Sequence, residues 1–311
     1  MHTGLIQKLY SKTKPNITKI SRELKITRVT FQNRFEQLAR EHVIKNFTIN
    51  INPNISPNLK YIILEIKTNP KEPHLVEELQ KIPQLKILDG IFGEFSLLTL
   101  FIFKDSNEFS QVLNTIDKIM SNSYFKKYQL VEAIIVYKTY GIELTKVRLD
   151  VNYTLDKIDY LILKILEEDQ GLKLLSTFEI SRILKRKYQI EISQSTIYNR
   201  IRNLEQTGII LNYAINFNPS KLGFKGKFFI RIKPRDTSKY NQIALKLEKK
   251  QEITHLFRIG EQYGLFAIVR VRNIEDYAYF IKYLYETEEI EDTFTIFVLD
   301  ELKPYTNFKF Y

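Results

Sequence analysis

Apolar and polar positions along this chain follow two periods that trade places twice. Leu155, Ile158, Leu161, Ile162, Ile165 and Leu166 fall at the three and four spacing of one helix face, which predicts a helix of about three turns. Further helices are expected after Asn16 and Ser176, and again after Thr27 and Ser193. Each of these side chains can accept from the exposed amides of a first helical turn. Lys25, Ile26 and Thr27 leave room only for a tight turn, the spacing of a helix-turn-helix. In the helix after that turn Phe31, Phe35 and Leu38 form an inward stripe, matched by Ile197, Ile201 and Leu204. Past these helices, residues 44–51 and 210–217 alternate with period two and are read as strands, each a wing. Asn52 with Pro53 and Asn218 with Pro219 then punctuate the chain.

Beyond residue 59 the order predicted is strand (60–66), helix (74–82), strands (85–91 and 97–103), helix (108–120) and strand (130–137). It recurs at 228–232, 240–249, 253–258, 265–271, 274–286 and 293–299. Strand, helix, two strands, helix, strand is the ferredoxin-like βαββαβ unit, with both helices on one face of an antiparallel sheet. The other face stays largely apolar in 97–103 and 266–271, so it is expected to pair with a second sheet.

The recurrence extends to identities. Arg34, Leu38, Ile44, Asn46, Ile49, Asn50, Asn52 and Pro53 reappear 166 residues later as Arg200, Leu204, Ile210, Asn212, Ile215, Asn216, Asn218 and Pro219. The expected fold is therefore α+β, two winged helix-turn-helix domains (1–55 and 151–221), each followed by a βαββαβ domain (56–150 and 222–311).

Charge sharpens this picture. Formal net charge is +11, but residues 1–50 hold ten Lys or Arg against three Asp or Glu, whereas residues 251–311 hold six against eleven. A basic reader tied to a neutral or acidic body suits a polyanion partner. The outward side chains supply the chemistry. Thr27, Arg28, Thr30, Gln32, Asn33 and Arg34 in one copy, and Ser193, Gln194, Ser195, Thr196, Tyr198, Asn199, Arg200 and Arg202 in the other, include the donors that grip phosphates and read base edges in double-stranded DNA. Arg34 and Arg200 are assigned to the backbone, and Arg28, Gln32, Gln194 and Asn199 to bases. With Cys 0 and His2, His42, His74 and His255 scattered, neither a thiolate nor a histidine metal site is expected. No Gly-x-x-x-x-Gly-Lys run cradles phosphate, and no apolar run is long enough to span a membrane. A cytoplasmic location without a cofactor is expected.

Leu155, Asp156, Asp159, Ile162 and Leu163, then Ser193, Ile197, Arg200, Ile201, Leu204, Glu205, Gly208 and Ile210, resemble the reader signature of the Lrp/AsnC family of feast/famine regulators. The first copy keeps Thr27, Phe31, Arg34, Phe35, Leu38 and Ile44 but has Ala39 and His42 where the pattern has Glu and Gly, so His42 needs a left-handed backbone or a changed turn. The resemblance implies transcription regulation, a sensor domain of the regulator-of-amino-acid-metabolism type and a small effector such as an amino acid. Effector residues would be Gly93, Glu94 and Ser96 in one loop and Gly260, Glu261, Tyr263 and Gly264 in the other; neither loop keeps the family's Asp. Relatives pair two chains, so this chain is expected to form an internal pseudo-dimer or a homo-oligomer through its sensor domains.

Two other readings share the architecture. A sister group of fused pairs decarboxylates sirohaem with His and Arg around the tetrapyrrole, and His255 and Arg258 lie where such residues could sit, though a second His is missing. An architectural chromatin protein would bind DNA without sequence preference. The expectation taken forward is a regulator that is not an enzyme.

Overall fold

Capping side chains start the helices where the sequence placed them. Asn16 accepts from the Lys19 amide to open α2 (Ile17–Glu23), and Thr27 accepts from the Thr30 amide to open α3 (Arg28–Arg40), after α1 (His2–Leu9). In the second half α6 (Lys157–Glu168) and α7 (Thr177–Tyr188) open on reciprocal capping boxes, Asp156 with Asp159 and Ser176 with Glu179, and Ser193 caps α8 (Gln194–Gln206). The computed structural model describes residues 2–56, 58–150 and 153–310; the chain ends at 1 and 311 and the boundary expected at 151 lie outside them. No helix among the described residues is long and apolar enough to cross a membrane.

The chain forms two compact units, each assembled from both halves. One holds residues 1–55, 144–223 and 305–311; the other holds 56–143 and 224–304.

In the first unit, β1 (Ile44–Ile51) and β7 (Ile210–Phe217) correct the expectation of wings. They pair with each other, antiparallel, as a two-stranded sheet. Each strand carries a buried row that needs a covering partner, and the other half supplies it. Asn46 faces Asn216 and Asn50 faces Asn212, so positions matched by the 166-residue offset are exchanged by a local twofold at Thr48 and Ala214. The crossing extends to the helices, since α6 packs on β1 and α1 on β7. The buried Asn50 donates to Asn212 (2.8 Å) and Asn307 (2.7 Å), and Asn307 donates to Asn216 (3.1 Å). Residues 305–310, which carried no periodic signal, thereby join this unit. Thr306 bridges to Phe217, and the Phe308 and Phe310 rings stack edge-on against Phe217.

The second unit is built from strands β2 (Lys60–Lys67), β3 (Leu85–Ile91), β4 (Leu97–Phe103), β5 (Lys127–Thr139) and β6 (Ile142–Glu143), with α4 (Pro73–Gln80) and α5 (Ser106–Ser121). From the second half come β8 (Gly226–Pro234), β9 (Ile253–Ile259), β10 (Leu265–Val271) and β11 (Ile290–Glu301), with α9 (Tyr240–Leu247) and α10 (Ile274–Glu286). Each body contributes a four-stranded antiparallel sheet, ordered β5-β2-β4-β3 and β11-β8-β10-β9. Seams between β5 and β9 and between β3 and β11 join the two sheets edge to edge, so eight strands close into a barrel, with β6 added on β5. The helices lie outside. Ile62, Leu64, Phe101 and Phe103 pack with Leu75, Leu79 and Ile116 on one sheet, and Ile230, Ile232, Ala267 and Val269 with Ile243, Leu247 and Phe280 on the other. Alternate residues of the same strands point into the barrel.

Candidate nucleic-acid interface

The three helices of each reader fix one face of α3 and α8 and leave the other to solvent. Phe31, Phe35 and Leu38 are buried, with Phe35 stacked on Phe47 of β1 at 4.9 Å; Ile197 and Leu204 are buried against α6, α7 and β7. The tight turns before these helices use left-handed residues, Lys25 (φ 55°) and Gln189 (φ 57°), and His42 takes φ 56° where the second copy has Gly208 at 77°. A residue without a Cβ is favoured there, so Lys25, Gln189 and His42 each carry local strain.

The outward residues divide into three groups. Thr27 and Ser193 spend their hydroxyls on capping, accepting from the Thr30 amide (3.0 Å) and the Thr196 amide (3.1 Å), while Thr30, Ser195 and Thr196 lie within 2.9 Å of those same hydroxyls. Gln32 donates to Glu36 (2.8 Å) one turn on. Arg28, Asn33, Gln194, Tyr198, Asn199 and Arg202 are exposed. One exposed residue was passed over by a search for polar donors. Val29 is 69% exposed at the start of α3, an apolar side chain suited to a thymine methyl.

Arg200 stands apart. Its Nη1 donates to Asp156 (2.7 Å) and Asp159 (2.8 Å), tying α8 to the capping box of α6, and Asp159 raises the guanidinium pKa above its ordinary value. Arg34, at the matching position, has no carboxylate partner among the described residues. Beside the second turn, Ser181, Lys185, Glu191, Ile192 and Ser193 line a cavity of about 360 Å³.

The loop residues assigned to an effector do not converge on one another. Glu94 pairs with Lys127 (2.6 Å) at the surface, and the Ser96 hydroxyl accepts from the Thr68 amide (2.7 Å). Gly93 is extended toward positive φ (147°), and Gly260 lies against Ile134. Glu261 reaches Arg231 Nε (2.5 Å), and the Tyr263 hydroxyl donates to Asp292 (3.0 Å). Gly264, at φ 79°, must be glycine, because a Cβ would fall 2.3 Å from both Arg258 and Tyr240.

His255 and Arg258, the pair weighed for tetrapyrrole chemistry, are split by the strand. Arg258 sits over the Tyr240 ring of α9 on the helix side and donates to the Gly264 carbonyl (2.6 Å), whereas His255 points into the barrel beside Phe257. Residues three apart on a strand face opposite ways. Burial, with the charges of Lys227, Arg270 and Lys138, lowers the His255 pKa to about 3, so the imidazole is neutral. Among the described residues no group of His, Asp and Glu could hold a metal ion.

Residues 227–308 match the model of the Lrp/AsnC ligand binding domain. The HTH-type transcriptional regulator FL11 of Pyrococcus furiosus is 33% identical over 145 residues, which cover 47% of this chain and 89% of the relative. The regulatory protein AsnC of Escherichia coli is 29% identical, covering 48% of this chain and 92% of the relative. Among solved structures, the sirohaem decarboxylase NirDL superposes with a TM-score of 0.64 at 12% identity, covering 99% of this chain and 94% of that one. That likeness overturns the expectation that the chain is not an enzyme. The architecture followed almost end to end is one on which a decarboxylase is built, so the fold gives no ground for excluding catalysis. The sequence match to these regulators over most of their length carries the family assignment, and the chain belongs to the Lrp/AsnC family.

Proposed function

We propose that the chain is a DNA-binding transcription regulator whose two tandem helix-turn-helix readers address two unlike half-sites from one polypeptide. The observation that carries this reading is the twofold pairing of β1 with β7, which relates two helices with different outward faces. Arg28, Val29 and Asn33 stand on α3, and Gln194, Tyr198 and Asn199 on α8. A twofold pair of readers calls for half-sites spaced by whole helical turns, and unlike readers call for unlike half-sites. The regulator names of the curated relatives support the same reading. Binding selection with the full chain should return an imperfect palindrome, and exchanging its half-sites should weaken binding. A strictly palindromic optimum, or indifference to the exchange, would count against it. The match to a ligand binding domain supports a small-molecule effector such as an amino acid acting on the barrel unit.

A second reading draws on the likeness to NirDL, which spans 99% of the chain. It makes the barrel unit a tetrapyrrole decarboxylase. Purified chain incubated with sirohaem would then acquire a strong near-ultraviolet band and release carbon dioxide; loss of the colour on desalting would exclude it.

A further inference from the structure

The barrel is related to itself by a local twofold, and the strand registers identify the positions it exchanges. Glu65 faces Leu98 on β4 as Arg231 faces Phe266 on β10; Tyr61 faces Ile102 as Lys227 faces Arg270. Asp89 faces Leu98 as Phe257 faces Phe266, and Gln129 faces Glu65 as Phe294 faces Arg231. Glu65 therefore matches Arg231, Tyr61 matches Lys227, Asp89 matches Phe257, and Gln129 matches Phe294.

The chemistry at matched positions is not the same. Glu65 and Arg231 touch each other at 2.8 Å, with side chains 2% and 6% exposed. Two matched positions in contact lie on the axis. Off the axis, Lys227 reaches Asp89 at 2.5 Å, while the exchanged contact is the aromatic pair Tyr61 and Phe257, with centroids 6.2 Å apart. Gln129 donates to Glu65, whereas the Phe294 ring faces the Arg231 guanidinium at 5.8 Å. In both buried ion pairs, Glu65 with Arg231 and Asp89 with Lys227, the first body holds the acid and the second the base; Lys138 of β5, which donates to the Lys250 carbonyl (2.7 Å), is a buried base on the first body's side.

We propose that these interior charges make each body's inner face fit only the unlike body and reject a second copy of itself. Two first bodies would set Glu65 against the Glu65 of a second copy and leave each Asp89 facing a tyrosine. Two second bodies would set Arg231 against the Arg231 of a second copy, each left with only the loop carboxylate Glu261 of its own body. Uncompensated charge inside a barrel is strongly destabilising, and a repulsive element of this kind sets specificity. The apolar rows of the two sheets would accept either pairing.

The test uses the full chain with Glu261→Gln throughout, which removes the loop carboxylate that Arg231 also touches. Glu65→Arg and Arg231→Glu should each lower the melting temperature, by roughly 5–10 °C. The double exchange E65R/R231E should recover most of that loss. An equimolar mixture of the two single variants, unfolded and refolded together, should recover it as well, because the first body of each chain then meets its opposite charge on the second body of the other. Single variants that melt with the parent, a double exchange no more stable than its components, or a mixture as unstable as its components would each overturn the proposal. Melting is read without DNA, so the result is independent of the DNA-reading proposal.

Discussion

Arg34 and Arg200 hold the same position in two helices of equal length, yet one is free and the other is held. Arg200 lies against Asp156 and Asp159, and Asp159 is itself buried, accepting from the Tyr153 hydroxyl and the Asp156 amide as well. The first reader has nothing equivalent, because α1 contains no acidic residue. An arginine that ties two helices together cannot also neutralise a phosphate without giving up that tie. The division of labour expected from sequence, with both arginines on the DNA backbone, is thus proposed to survive only for Arg34. The difference arises from the opening turn of α6 rather than from the helix that carries the arginine.

Three experiments sharpen the contrast between the halves. The largest effect is expected from Asp159→Ala, which removes the reciprocal half of a capping box and leaves Arg200 without its buried partner. A loss of about 3 kcal/mol in denaturant unfolding is expected, reduced somewhat because Arg200 still reaches water. Arg34→Ala, by contrast, should change stability by less than about 0.5 kcal/mol.

The second experiment concerns pH and the bodies. His255 matches Ile87, so at this position the second body places an imidazole in the barrel where the first has an aliphatic side chain. Unfolded, the ring takes a proton near its ordinary 6.5; folded, it stays neutral down to about 3. The unfolded state binds that proton first. The stability His255 contributes is therefore complete above pH 6.5 and is lost as pH falls toward 3. Between pH 6.5 and 4.5 the loss should be on the order of 2 kcal/mol, and His255→Ile should flatten it. Comparing the variant with its parent cancels the carboxylates nearby. Burial raises Asp89 above its ordinary value, whereas Lys227 and Arg270 overcome the burial of Glu301 and hold it at about 2.

The smallest effect should be seen on DNA. Each phosphate neutralised steepens the salt dependence of binding, so Arg34→Ala should lower the slope of log affinity against log salt by about 1 for random duplex. Arg200→Ala, measured under conditions where it remains folded, should leave the slope unchanged. Equal slopes for both variants would restore the symmetric assignment.

Much of this architecture was legible from local signals. The bounds of β4, β10 and α10 coincide with those read from periodicity, because a buried row, a capping residue or a turn marks each end within a few residues. One departure in a pattern left a left-handed backbone or a changed turn at His42, and the left-handed backbone is the one adopted. What escaped depends on partners far away in sequence. The alternation of β1 and β7 was evident, but nothing in either strand says that its partner is the other half. Asn46, Asn50, Asn212 and Asn216 were visible as landmarks of the repeat, and their hydrogen bonds to one another and to Asn307 were not. Glu65 and Arg231 read as ordinary charges in alternating strands until the barrel closes around them.

The path of the chain has a consequence for synthesis. Because it leaves the first unit at residue 55, returns at 144, leaves again at 223 and returns at 305, neither unit is a continuous stretch. A nascent chain made as far as residue 150 holds one reader and one body, yet β1 still lacks β7, and the sheet edges of β3 and β5 still lack β11 and β9. Those exposed edges are templates for the wrong strand. The barrel can close only once β11 has been made, and the buried asparagines are fully paired only once Asn307 follows it. Folding on the ribosome must therefore hold half-finished sheets open until nearly the whole length described here has emerged, a long-range route that is slow by its topology.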